Sequence, residues 1–394
     1  MRPSKGGLKL ALAVSVLACG CVDGTRRWRG AVEELPNGGL RVTNPAEGMW
    51  RDDSAWRLVR ALRLGEVEGP AATVFGAISG LAVDDAGRIY VLDRQANELR
   101  IFTGDGAHVR SVGRSGGGPG EYTSANGLAW LSPDTLVVVD QEGGRYTLLT
   151  REGGYVRSAR RQLGFAARAF SGGVKGGRLY ERFTMGVELD HRLALLGTPL
   201  RGGDPGLDTV LLPVPPWPTH QSVGVSNQRG VMILVVPFAA GPVYHLDGGG
   251  SIWHGHGSEF RVVHSSFVGD TIMEIVLDAV AAPVTDAELA DWEGRESTKR
   301  FRQMGGQIQV PKMKPFFDGL YLDPEGYLWA SVPGGPMETA FAVFDPEGRF
   351  VGRLQLNGLK RDTHLEPVVR NGRLHLVGRD ELDVQRVYVF RVDR

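Results

Sequence analysis

The residues best suited to chemistry stand at the entrances to six short apolar strands. They mix a cation, two carboxylates, an amide and a histidine. If the strands surround a common axis, these polar groups converge and can form the floor of a ligand pocket. Strand entrances also favour Asn, Asp and Ser for turn chemistry alone, so a structural role is the alternative. The candidates are Ser79, Asn126, Arg168, Gln221 with Ser222, Asp318, and His364 with Glu366.

Two histidines form a second candidate group. His254 and His256 alternate in the sequence, so on a strand they share one face and can reach a single metal ion. The other histidines are scattered along the chain. We therefore expect this pair in a solvated outer strand or turn of the fourth repeat, without a metal.

A glycine-rich stretch, Gly116–Gly120, resembles a phosphate-binding loop at first sight. It lacks the Lys-Ser/Thr pair and the following helix that such a loop requires. We predict a connection between two sheets here, with Glu121 capping neighbouring backbone amides.

Composition permits a large core and excludes several classes of protein. The chain has 394 residues, 42% of them apolar, with 45 basic and 45 acidic residues. A net charge of zero argues against nucleic acid as a partner. The two cysteines, Cys19 and Cys21, both lie near the N-terminus. A disulfide framework or a cysteine metal site in the rest of the chain is therefore impossible.

The N-terminus has the features of an export signal. Basic residues flank an apolar run, Leu8–Ala18, that is too short to span a bilayer. The run ends in Val-Leu-Ala-Cys19, which resembles a bacterial lipobox. We predict a lipoprotein signal peptide over residues 1–18 and lipidation of Cys19. Cys21 is the less suitable alternative, and an ordinary secretory signal is also open. The Gly- and Asn-containing residues 19–54 predict a flexible tether.

The rest of the chain, residues 55–394, repeats one four-stranded unit. The best copy is Ser79–Tyr122, in which short alternating strands are separated by Gly and Asp turns. Its segment Leu81–Asp93 aligns without gaps on Leu128–Asp140. Later copies begin at Leu320 and Glu366, and weaker copies lie at Phe170–Phe183 and at Val225–Val236 with Tyr244–Gly248.

The number of strands predicts a closed ring. The last copy ends with a third strand, Arg386–Val392, and an unassigned strand, Trp56–Leu64, lies upstream of the first copy. Pairing these two strands completes a sixth sheet and removes two exposed edges. The predicted fold is an all-β, six-bladed β-propeller whose N-terminal strand closes the last blade.

One segment departs from the repeat. Thr285 to Glu288 has the pattern of a capping box and predicts a helical insertion between blades four and five, to about Met304. The insertion packs on the rim or covers one mouth of the channel. Trp217 and the pair Phe316–Phe317 lie in neighbouring connections and can present an apolar platform.

The repeats resemble the NHL-repeat family of six-bladed β-propellers over about residues 55–394, most closely in the first unit. The turn Gly118-Pro-Gly-Glu-Tyr122 is similar to that of bacterial lipoprotein members of this family. The resemblance implies the fold. It says little about activity, because propellers host many unrelated functions.

Enzymatic propellers indicate what catalysis would need. Resemblance to sugar-lactonase propellers implies a calcium or zinc ion held by a Glu, an Asp and two Asn. Asn126, Asp318 and Glu366 stand at suitable entrances, but no second central Asn is evident. Resemblance to the peptide-amidating lyase propeller implies several His ligands to zinc. We name no catalytic and no metal-binding residue.

We therefore expect an exported, lipid-anchored binding or scaffold module at the cell envelope. Its partners would be the membrane, through the lipid, and a protein, peptide or small ligand on the channel face. It would need no cofactor. The alternative is a lyase or lactone hydrolase with one calcium or zinc ion in the central channel. A purely structural surface protein is the third possibility.

Overall fold

The structure is a computed structural model that describes residues 26–51, 54–161, 172–184, 193–200, 208–211, 222–227, 230–335 and 337–394. The described chain begins with a hairpin, then a lone strand, then a short 3-10 turn at Ala71–Thr73. These first strands are β1 (Ala31–Glu34), β2 (Leu40–Asn44) and β3 (Arg57–Leu64).

Blades one and two follow in the chain, each an antiparallel sheet of four consecutive strands. Blade one contains β4 (Ile78–Val83), β5 (Ile89–Asp93), β6 (Glu98–Phe102) and β7 (His108–Val112). Blade two contains β8 (Ala125–Ser132), β9 (Thr135–Asp140), β10 (Arg145–Thr150) and β11 (Tyr155–Arg160).

Blades three and four are separated by an additional hairpin. Blade three contains β12 (Gly172–Lys175), β13 (Arg178–Thr184), β14 (Leu193–Pro199) and β15 (Asp208–Leu211). The hairpin is β16 (Ser222–Asn227) and β17 (Gly230–Val235). Blade four contains β18 (Pro242–Leu246), β19 (Ser251–His256), β20 (Arg261–Ser266) and β21 (Thr271–Leu277).

Two helices, α1 (Asp286–Gly294) and α2 (Glu296–Gln303), precede blade five. Blade five contains β22 (Gly319–Leu322), β23 (Leu328–Pro333), β24 (Glu338–Phe344) and β25 (Phe350–Asn357). Blade six uses β27 (Val368–Arg370), β28 (Arg373–Arg379) and β29 (Gln385–Asp393), with a short β26 (Lys360–Arg361) beside β28.

The innermost strands close a ring. Each innermost strand contacts the innermost strand of the next blade, in the order β4, β8, β12, β18, β22 and β27. β27 in turn contacts β4. The predicted six-bladed propeller is therefore confirmed. Within the described residues, buried apolar side chains form six clusters, and each cluster lies between two neighbouring blades. Burial between blades is thus the main force that holds the ring together.

The predicted closure of blade six is also confirmed. β3 pairs antiparallel with β29, from Leu64 beside Val387 to Arg57 beside Asp393. The guanidinium of Arg394 lies 4.4 Å from the ring centroid of Trp56, just upstream of β3. This cation–π contact fastens the two chain segments beyond the end of the ladder.

The turns of the repeat follow directly from the sequence. At the first turn of blade one, the Asp84 carboxylate accepts hydrogen bonds from the Arg88 backbone N–H and guanidinium, at 2.8 and 2.7 Å. Gly87 supplies the positive φ that the turn requires. Asp345 accepts the same two bonds from Arg349 in blade five. The recurring Asp-x-x-Gly pattern is therefore an Asp-capped hairpin turn.

The structure differs from the prediction of a flexible tether over residues 19–54. Within this range, β1 and β2 form a hairpin, and β2 pairs in parallel with β21 of blade four. The Asn44 side chain accepts a bond from the Phe350 N–H at 2.7 Å and donates to the Gly348 carbonyl at 3.0 Å. The hairpin is attached because β21 otherwise presents an open edge.

The fourth repeat also needs correction. Val225–Val236 was predicted to form blade strands, and it forms most of the separate hairpin β16–β17 instead. The inner strand of blade four is β18, which contains Tyr244. Ser222 therefore begins a hairpin strand and not an inner blade strand.

The predicted helical insertion lies between blades four and five in the chain, as two helices broken at Arg295. The capping box is present: the Thr285 hydroxyl accepts from the Glu288 N–H, and the Glu288 carboxylate accepts from the Thr285 N–H. Among the described residues, no helix has the length and apolar content needed to cross a membrane.

Candidate functional site

The central channel holds a cavity of about 640 Å³. Inner strands of the propeller supply its walls, which are mainly glycine and apolar side chains such as Leu81, Leu128 and Leu322. A volume of this size suits a small ligand. The polar residues in the lining determine which polar groups that ligand would have to carry.

Ser79 lines this cavity, as its predicted place at a strand entrance implies. Its hydroxyl donates to the Ala125 carbonyl at 2.8 Å, across to the inner strand of blade two. The side chain is 8% exposed. Ser79 therefore connects two inner strands, which is a structural use of a channel position.

Glu366 also lines the cavity, opposite a histidine that sequence analysis did not single out. The Glu366 carboxylate lies 3.8 Å from Nδ1 of His245 on β18. Both side chains retain solvent exposure, 42% for Glu366 and 21% for His245. The signal for His245 was in the repeat itself, because the alignment places it with Ala82 and Tyr321, which line the channel too.

The other charged groups in the lining already hold the fold together. Asp323 accepts from the Tyr327 N–H at 2.8 Å and from the Arg394 guanidinium at 2.8 Å. Burial raises the pKa of the Asp323 carboxyl. Arg370 donates to the Val83 carbonyl at 2.9 Å and pairs with an Asp.

Asp247 has a similar role at the turn of blade four. Its carboxylate accepts from the Ser251 N–H at 2.9 Å and from the Ser251 hydroxyl. Within the described lining, His245 and Glu366 thus bring two titratable side chains together at the cavity wall.

Of the remaining predicted entrance residues, those in the described part of the chain do not line the cavity. Asn126 is buried in β8. Asp318 is bound by Arg361, whose Nη2 lies 3.1 Å from the Asp318 carboxylate and 2.8 Å from the Ser331 hydroxyl. His364 is exposed, and its backbone N–H donates to Asp362. The predicted positions Arg168, Gln221, Trp217, Cys19 and Cys21 lie outside the described residues.

The histidine pair was placed wrongly. His254 and His256 lie on β19, the second strand of blade four, and both are buried. Burial lowers the pKa of His254 to about 4, so the imidazole is neutral near pH 7. Its Nε2 lies 3.0 Å from the Ser265 hydroxyl, and Nδ1 of His256 lies 2.8 Å from the Ser258 hydroxyl. Both rings thus make hydrogen bonds inside the blade.

The glycine-rich stretch connects β7 of blade one to β8 of blade two, as predicted. The Glu121 carboxylate accepts from the Gly118 N–H at 2.7 Å, so the predicted capping is present. Arg145 donates to the carbonyls of Gly117 and Glu121, at 2.7 and 2.6 Å. The guanidinium occupies the concave side of the loop, so a phosphate would have to displace it.

Phe316 and Phe317 do not form the part of the aromatic platform that was predicted for them. Phe317 is completely buried, and Phe316 packs against the same cluster between blades four and five. Apolar contact with that cluster draws both rings inward.

In the described part of the chain, no three His, Cys, Asp or Glu side chains are grouped closely enough to hold a metal ion. One carboxylate oxygen of Asp318 also forms an ion pair with Arg361. The calcium or zinc alternative stays a prediction, and metal analysis of the purified protein would test it.

Comparisons with known proteins agree with this architecture. A family model described as a 6-bladed beta-propeller matches residues 68–144. No curated protein matches the chain. The fold is similar to a solved member of the DUF4221 family from Bacteroides vulgatus, at 11% identity and a TM-score of 0.52, over 86% of this chain and 98% of that one. It is also similar to virginiamycin B lyase from Staphylococcus aureus, at 11% identity and a TM-score of 0.44, over 86% and 99%. The chain is a six-bladed β-propeller.

Proposed function

We propose that this protein is an exported, lipid-anchored binding module that takes a small ligand or a peptide end into its central channel at the cell envelope. The observation that carries the proposal is the channel cavity of about 640 Å³ with His245 and Glu366 facing each other in its wall. Binding pockets commonly combine apolar walls with a few convergent polar groups in this way.

The chemistry of the lining restricts the ligand. Glu366 supplies a carboxylate acceptor, and His245 can accept or donate according to its tautomer. A ligand with an amine or hydroxyl group would place that group beside the pair, within hydrogen-bond reach of both side chains. Leu128, Trp130 and Leu322 would contact its apolar part.

Substitution of the pair tests the proposal. We expect Glu366→Gln to weaken binding of an amine-bearing ligand by about tenfold, because a charge-assisted hydrogen bond is lost. The measurement is ligand-observed NMR with a panel of small aromatic amines and dipeptides. His245→Gln should weaken the same ligands less, because the carboxylate remains.

The exposed Glu68 offers a matched control, since Glu68→Gln removes the same charge away from the channel. Binding that is unchanged in both channel variants would place the site elsewhere. A folded protein that binds no member of the panel would favour the scaffold role over ligand binding.

Lipid anchoring has its own test. The lipobox-like sequence before Cys19 supports a lipidated N-terminus. We expect Cys19→Ser to release the protein from the membrane fraction or to block processing, while Cys21→Ser has no effect. Unchanged fractionation in both variants would contradict the anchor.

A further inference from the structure

A second large cavity lies on the outer rim, between the outer strands of blades five and six. This rim groove has a volume of about 690 Å³. Its walls come from β3 and β29 on one side and from β25 on the other, and it has no residue in common with the central channel. Its lining includes Leu58, Arg60, Arg63, Leu382, Tyr388 and the pair Gln355 and Asn357.

A β-bulge brings two arginines of β3 onto the same face. Arg60 pairs with Phe390 and Leu62 pairs with the adjacent Val389, so Ala61 has no partner in the ladder. An unpaired residue shifts the alternation of side chains by one position. Arg63 therefore pairs with Tyr388, which shares its strand face with Phe390, and both arginines face blade five.

Without the bulge, the two positions would lie on opposite faces. The other face of β3 carries Leu62 and Leu64, which pack with Val387 and Val389 between blades six and one. The bulge thus keeps leucines in that core while both guanidinium groups enter the rim groove. Bulges that redirect side chains often accompany binding sites.

The two guanidinium groups have no ion pair or hydrogen bond with any described residue, and both residues are exposed. The acidic side of the groove is partly neutralised, because the Asp380 carboxylate accepts from Arg386 at 2.7 Å. Glu381 is exposed at the edge. Arginines without a partner, three positions apart, are well placed to bind carboxylates through their planar donors.

The groove also has apolar side chains and side-chain amides that a simple ion would not contact. Leu382 is 75% exposed at its edge, and Leu58 lines the wall beside the arginines. On the facing strand, Gln355 and Asn357 present side-chain amides that bond each other at 3.2 Å. Amides of this kind can bond an extended backbone.

We propose that the rim groove binds an acidic peptide segment. Two of its carboxylates bind Arg60 and Arg63, an apolar side chain between them contacts Leu58 and Leu382, and its backbone bonds the amides of β25. Charge complementarity favours this partner, and the apolar edge favours a peptide over a free anion.

The test is fluorescence anisotropy with a labelled peptide of about eight alternating Asp and Leu residues, an extended-peptide design. We expect the Arg60→Gln, Arg63→Gln double variant to bind it at least about tenfold more weakly than the unmodified protein. A Lys-Leu peptide of the same length should not bind. Affinity should fall between about 50 and 300 mM salt, because exposed charges are screened.

Arg57 provides a matched control on the same strand, since it does not line the groove. Arg57→Gln should bind the peptide normally. An equal loss of peptide affinity in Arg57→Gln would show that binding depends only on the general positive charge of the protein. That result would overturn the proposal. Absence of binding by the unmodified protein would overturn it as well. Binding to vesicles with anionic lipid but not to the peptide would assign the arginines to a membrane surface instead.

Discussion

Blades one and two differ from blade five in how the end of the second strand holds the segment that enters the blade. In blade one, the Asp93 carboxylate accepts from the backbone N–H groups of Gly76 and Ala77, at 2.9 and 3.1 Å. In blade two, Asp140 accepts from Thr123 and Ser124 at 3.0 and 2.9 Å. The blade supplies the acceptor, and the incoming segment supplies the donors.

Blade five reverses which partner supplies the side chain, although the incoming segment again supplies the donor. Lys314, in the incoming segment, donates to the Gly334 carbonyl at 2.6 Å, immediately after β23. The same ammonium pairs with Glu288 of α1 at 2.6 Å, and both side chains are buried. The incoming segment therefore supplies the donor and fastens its own helix at the same point.

The difference shows how a repeat can accept an insertion. An Asp at the strand end fixes a connection that passes close to its own blade. Blades four and five have His256 and Pro333 at the ends of their second strands, and each is preceded by an inserted hairpin or helix pair. In blade five, where the Asp is missing, the inserted segment brings its own attachment through Lys314.

The largest expected effect is from removing the blade-two carboxylate. Asp140→Ala should lower the free energy of unfolding by about 4 kcal/mol, because Arg145 loses its ion pair and several partly buried backbone N–H groups lose their acceptor. Urea denaturation followed by fluorescence measures this. Asp134→Ala in the same blade is the control and should change stability little, since Asp134 is 86% exposed. Similar losses in the two variants would contradict the anchoring role.

The reversed attachment in blade five should be nearly as sensitive, but more local. Lys314→Met leaves the Glu288 carboxylate buried without its cation, at a cost of about 3 kcal/mol. Because the helices lie outside the blades, we expect this loss as faster hydrogen exchange in α1, with smaller changes in the strands. Lys312→Met removes an exposed lysine from the same segment and should leave the exchange unchanged. Uniformly faster exchange across the ring would contradict this view.

Part of the pH dependence of stability should come from His254 in blade four. Burial lowers the pKa of His254 to about 4 from 6.5, and Arg261 and His264 also disfavour its charged form. The unfolded chain therefore takes up this proton first as pH falls. The stability due to neutral His254 is complete above about pH 6.5 and is lost between pH 6.5 and 4. At pH 5 it should be about 2 kcal/mol less than at pH 8.

His254→Gln should remove this part of the pH dependence while the amide still reaches Ser265. His375 in blade six would still contribute its own part of the pH dependence, because burial also lowers its pKa to about 4. Urea unfolding at pH 5 and pH 8 gives the comparison, with the exposed His364→Gln as control. An identical pH dependence in His254→Gln and the unmodified protein would show that His254 is not the responsible group.

Features that depend on repetition could be predicted from sequence, and features that depend on a distant partner could not. The pairing of Trp56–Leu64 with the last strand followed from a missing strand at one end and an extra one at the other. The attachment of β2 to β21 had no such signal, because its residues lack the repeat pattern. The alternation in Val225–Val236 indicated strands correctly, but alternation does not say which sheet a strand joins.

The same distinction applies to the channel. Ser79 and Glu366 line the cavity, and their role in binding a ligand stays a prediction. Asp318 was placed at a suitable entrance, but its binding by Arg361 depends on a neighbouring blade. His245 lies in an irregular repeat, where the upstream hairpin β16–β17 has the same alternation as an inner blade strand.

The pairing of β3 with β29 has a consequence for the protein during its synthesis. β3 is made before blades one to five, and its partner β29 is made only after them. A chain that stops before Gln385 leaves both β3 and β28 with an open edge and separates blade six from its closing strand. Such a chain would remain accessible to proteases and chaperones, so closure of the ring requires synthesis to proceed through β29.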